Sequence, residues 1–123
     1  MTKRVLDIGN CRPDHRAIAA LIEANFDATV SQAHRWEDAA AQLRAESFDL
    51  VLVNRKLDVD HSDGLELIQR LKQDPQLSAL PVMMITNFAE HQRLAVQAGA
   101  VMGFGKQSLQ SAETLKRFEP YLS

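Results

Sequence analysis

The chain has 123 residues, with 14 Lys and Arg against 16 Asp and Glu, a formal net charge of −2 and both signs interleaved along its length. That length suits one domain with a real core and leaves no room for a second of ordinary size, so a single domain over 1–123 is expected. A hydrophobic share of 46% excludes disordered and collagen-like classes, and the balanced charge offers no cationic field for nucleic acid or anionic lipid. Cys11 is the only cysteine, which excludes an internal disulfide framework. Only a few apolar residues separate Met1-Thr2-Lys3-Arg4 from Asp7, too few for a signal-peptide core, and no stretch approaches the roughly 18 apolar residues of a membrane span. A cytoplasmic location is the natural expectation.

In chain order, the first short apolar run is 5–8 (Val-Leu-Asp-Ile) and the second 28–30. An alanine-rich stretch over 36–44 has helical character. The third run, 49–53, is nearly continuous in apolar character, as a central strand covered on both faces should be. Asp63 stands three residues before Glu66, which predicts a capping box opening a helix whose buried side is Leu65, Leu67, Ile68 and Leu71; Asp74-Pro75 then ends it. The fourth run is 82–85, and Gly99 is placed to close the helix that follows it. The last run is 101–104, and a final helix spans 111–122, with Pro120 expected to fray its end.

Alternation of short apolar runs with helical stretches is the signature of βα units on a parallel sheet. Five units joined by right-handed crossovers predict a flavodoxin-like (βα)5 doubly wound α/β fold with strand order 2-1-3-4-5. Ligands of such sheets collect beyond the C-terminal ends of strands one, three and four.

The segment 48–106 contains Asp49-Leu50-Val51-Leu52-Val53-Asn54, Asp63-Gly64-Leu65, Leu80-Pro81-Val82-Met83-Met84-Ile85-Thr86, Ala98-Gly99-Ala100 and Lys106. In order and spacing it resembles a response-regulator receiver domain of two-component systems, and the likeness extends over essentially the whole chain. The resemblance implies a phosphoacceptor aspartate ending the third strand, two acidic residues after the first that help it hold Mg²⁺, a Thr or Ser ending the fourth and a Lys ending the fifth. Hard divalent cations need oxygen ligands, and phosphoryl transfer needs the cation.

Thr86 and Lys106 match that pattern, but the acceptor position is Asn54, whose amide oxygen is a poor nucleophile. The acidic pair falls on Gly9-Asn10, or on Asn10-Cys11 with a one-residue shift, and neither alignment supplies a carboxylate. The aromatic that the family places three residues before the lysine is Gly103, with Phe104 displaced by one, and the following proline is Gln107. An atypical receiver without a phosphorylation switch is expected, with no metal and no cofactor.

Lys106, free of carboxylates and near Arg55 and Lys56, would leave the crevice neutral or positive, so a small anionic ligand is one alternative; a lysine bonded to backbone carbonyls or reaching solvent is the plainer one. Asp58 and Asp60 begin an EF-hand-like loop, yet Gln69 stands where the bidentate Glu belongs, so a solvated loop is the better account. One of these aspartates as a relocated phosphoacceptor is a further alternative. His15, His34, His61 and His91 lack a metal spacing, and no catalytic motif is present, so no enzyme is expected. Trp36, Phe88, Met102 and Phe104 are candidate partner contacts. A protein partner or a second copy docking on the face of the fourth helix, fifth strand and fifth helix is the leading expectation.

Overall fold

A computed structural model describes residues 1–123. Five parallel strands, β1 (Lys3–Ile8), β2 (Ala28–Ala33), β3 (Leu50–Asn54), β4 (Val82–Ile85) and β5 (Val101–Phe104), form one sheet in the order β2-β1-β3-β4-β5. Between and after them run α1 (Arg12–Asn25), α2 (Trp36–Ala45), α3 (Gly64–Gln73), α4 (Ala89–Gln97) and α5 (Ala112–Leu122). This is the flavodoxin-like arrangement that the alternation of apolar runs and helical stretches indicates.

Strand alternation divides the core in two. Leu6, Ile8, Val51, Val53, Val82 and Met84 pack with residues of α2, α3 and α4, among them Leu43, Ile68 and Ala95. Val5, Leu50, Leu52, Met83 and Ile85 point the other way, onto Ile18 and Ile22 of α1 and Phe118 and Leu122 of α5. Successive side chains of a strand face opposite sides, so β3, apolar over residues 50–53, serves both clusters.

Several boundaries differ from the apolar runs. The second strand continues to Ala33, because the edge position lets Ser31 and Gln32 pair with Leu6 and Asp7 without burial. Asp63 caps α3 by accepting a hydrogen bond from Leu65 N at 2.9 Å. Gly99, at φ +111°, follows the end of α4. Pro120 does not fray α5: the helix passes through it to Leu122, whose side chain is held in the core.

A bulge in β5 overturns one sequence expectation. Met83 pairs with Val101 and Ile85 with Phe104, so three steps on β5 match two on β4. The extra residue turns Phe104 onto the same face as Val101, where it lies 4% exposed and edge-on to Phe118 at 5.2 Å between ring centroids. Phe104 is therefore a core residue and no partner contact. The bulge also requires Gly103, since a Cβ there would overlap the Met84 carbonyl oxygen.

Candidate functional site

The C-terminal strand ends bring together the residues matched to the receiver pattern: Gly9 and Asn10 after β1, Asn54 closing β3, Thr86 after β4 and Lys106 after β5. Each is engaged within the chain. Asn54 Nδ2 donates to Gly9 O at 3.1 Å and to Lys56 O at 2.8 Å, which ties the loops after β1 and β3 together. Thr86 Oγ1 lies 3.3 Å from His91 Nδ1 and accepts from Phe88 N at 3.3 Å. Arg55 Nε donates to the other ring nitrogen of His91 at 3.2 Å, so Nδ1 is the proton-bearing atom that faces Thr86.

The crevice is not devoid of carboxylates, contrary to the alignment of Gly9-Asn10 with the acidic pair. Asp7, fully buried in β1, accepts from Asn10 Nδ2 at 2.6 Å and pairs with His15 Nδ1 at 2.8 Å. Burial pushes the Asp7 carboxyl above its ordinary range; the hydrogen bonds from His15 and Asn10 oppose that without cancelling it. Asn10 is also fully buried, and its Oδ1 has no hydrogen-bond partner in the chain. The Asp7 carboxylate fixes that orientation, because a flipped amide would turn an acceptor oxygen toward it.

Lys106 neither stands free nor bonds to backbone carbonyls. Its Nζ donates to Asp14 Oδ2 at 2.8 Å, and that bond holds the Asp14 carboxyl below the usual carboxylate range. Cys11 Sγ also donates to Asp14, at 3.3 Å. The excess positive charge expected from an unpaired Lys106 is thereby neutralised by a residue of the first turn of α1.

Gly9 adopts φ +83°, and a Cβ there would lie 2.6 Å from Leu57 Cγ. An aspartate at this position is thus opposed by both backbone conformation and the Leu57 side chain. In the loop after β3, Asp58 pairs with His34 at 3.2 Å while Asp60 accepts from Ser62 N and Oγ, so the two aspartates serve separate contacts.

The candidate partner residues separate clearly. Phe88 is 65% exposed at the start of α4 and Met102 is 48% exposed on β5. Trp36 is half-buried against the core, with the Arg70 guanidinium over its ring at 5.5 Å, and so covers a core edge. Between α4, β5 and α5 lies a recess of about 360 Å³ whose walls include Gln92, Gly103 and Arg117. Gln92, unnoticed in the sequence, is buried there.

Sheet order, five crossing helices and a polar cluster at the strand ends define a receiver-type α/β protein. The model of the response regulator receiver domain family matches residues 13–117, and the chain belongs to that family. Among solved structures, it is similar to the signal receiver domain of a DNA binding response regulator from Colwellia psychrerythraea (TM-score 0.82, 22% identity, 96% of each chain covered). A response regulator from Thermotoga maritima gives a TM-score of 0.79 at 23% identity over 98% of each chain. The chemotaxis protein CheY4 of Vibrio cholerae gives 0.78 at 18% over 99% of this chain and 100% of that one. At these identities the structural likeness speaks for the fold. No helix of the chain is long and apolar enough to cross a membrane.

Proposed function

We propose that this receiver domain signals through protein-protein contact without phosphorylation at Asn54, as a binding module and not a catalyst. The observation that carries the reading is the internal occupancy of the crevice. Asn54 bridges two loops, Lys106 is bound by Asp14, and Thr86 is held by His91. An incoming phosphoryl group would have to displace all three contacts and would find an amide where the family attacks with a carboxylate.

The same occupancy weighs against an anion sensor in the emptied crevice, because Lys106 is already neutralised. The α4–β5–α5 face, with Phe88 and Met102 exposed, is the surface offered to a partner or a second copy. The deciding experiment treats the chain with acetyl phosphate and Mg²⁺, and separately with beryllofluoride and Mg²⁺. Unchanged intact mass and unchanged amide resonances at 54, 86 and 106 are expected; a mass gain of one phosphoryl group would restore the conventional switch.

A further inference from the structure

Gln92 is the only polar side chain of α4 that is buried, and all its hydrogen bonds go to the main chain of β4 and β5 and the residue after β4. Its Oε1 accepts from Gly103 N at 3.0 Å. Its Nε2 donates to Met84 O at 2.9 Å, with Thr86 O and Phe104 O both at 3.3 Å. Gly103 and Met84 sit where the β5 bulge interrupts the ladder between the two strands. A carboxamide carries a donor and an acceptor side by side, so it replaces the missing rung for both backbone groups at once.

We propose that Gln92 is a staple that fixes α4 on the β4–β5 edge in one conformation, and so holds the face bearing Phe88 and Met102 permanently presented. The inference rests on reading the domain as a binding module that signals without phosphorylation. Where the family places an aromatic, Gly103 has no side chain to rotate, and the carboxamide of Gln92 engages its backbone from the neighbouring helix. Gln92 is a positioning residue for that face.

Beyond Gln92, α4 is held by His91, which contacts Thr86 and Arg55, and by Ala95 in the core. It has nine residues, too few to persist as an isolated helix, and its N-cap Phe88 makes no side-chain capping bond. Ala95 is its other buried residue, a side chain with little area to anchor a helix. Without the carboxamide, Gly103 N–H and Met84 O lose their shared partner, and α4 loses its polar tie to both strands.

Native-state hydrogen exchange on the full chain tests this, with urea denaturation run in parallel to measure global stability. In Gln92→Met, amides of 92–97 and 103–104 should exchange about tenfold or more faster than in wild type, after correction for any change in global stability. Amides of β1 and β3 should then be unaffected. In Gln92→Glu, a carboxylate faces the carbonyls of Met84, Thr86 and Phe104, and the local acceleration should exceed that of Gln92→Met. Equal acceleration in every element, or none in α4, would overturn the staple. Should both variants fail to fold, the wild-type chain still decides: the Gly103 amide must share one opening free energy and one urea dependence with the amides of α4. Exchange of Gly103 while α4 stays protected would refute it. No phosphodonor is present in these measurements, so their failure is separable from a failure of the phosphorylation-independent reading.

Discussion

Asp14 and Lys106, 92 positions apart, meet at 2.8 Å and tie the first turn of α1 to the end of β5. The pair converts the lysine expected to face a phosphate into a structural cation.

Removing the acid should therefore expose a charge as well as weaken a contact. Both side chains are about a third or more exposed, 32% for Lys106 and 40% for Asp14, so Asp14→Asn should cost no more than about 1 kcal/mol at neutral pH. The folded Asp14 carboxyl titrates below its unfolded value, so its contribution is present above roughly pH 4 and disappears as pH falls through the folded pKa. Urea denaturation at pH 7 and pH 3 should show the wild-type advantage at the first and a smaller one at the second. In the variant, sulfate should raise the melting temperature more than it does in wild type, because Lys106 is then free to bind it.

Asp7 predicts the opposite pH slope. Its folded pKa is raised by burial, so it favours the fold at low pH, and that contribution is lost as pH rises through the folded pKa. Asp7→Asn should be more stable than wild type at pH 8, with the advantage shrinking as the solution is acidified toward pH 4. A loss of stability in Asp7→Asn at pH 8 would show that the hydrogen bond with His15 outweighs the burial of the carboxylate.

Restoring the family's acids should not restore its chemistry. In Asn54→Asp, a carboxylate oxygen would face the Gly9 and Lys56 carbonyls that now accept from Nδ2, at a cost of about 1–3 kcal/mol. Gly9→Asp adds a non-glycine residue at φ +83° beside Leu57, strain of about 1–3 kcal/mol more. Neither variant, nor the double, should gain mass with acetyl phosphate and Mg²⁺, and both singles should unfold at lower urea than wild type.

The fold was legible because each strand announces itself as an apolar run and the crossover rule leaves few topologies. The site was legible only as far as alignment positions reach. Asp7 sits inside an apolar run, and its role comes from alternation: with Leu6 and Ile8 facing the α2–α4 side, Asp7 must face α1, where His15 meets it. Asp14 and Lys106 are joined by tertiary structure alone. The inward turn of Phe104 required knowing that β5 carries a bulge, and the only local hint is Gly103 itself.

Trp36 and Phe88, similar in sequence as large aromatics at helix starts, should part company on mutation. Trp36 packs on the core and under Arg70, so Trp36→Ala should cost about 2–4 kcal/mol through lost burial and lost stacking. Phe88 is 65% exposed, and its edge-on contact with His91, at 5.4 Å between centroids, is the one aromatic pairing it makes. Phe88→Ser should shift stability by no more than about 1 kcal/mol, the scale of one such pair with little area burial behind it. Urea midpoints measure both. If the exposed face is where copies or partners meet, Phe88→Ser also lowers self-association in sedimentation or capture of a partner, while Arg70→Ala, on the Trp36 side, leaves association unchanged and moves only the midpoint.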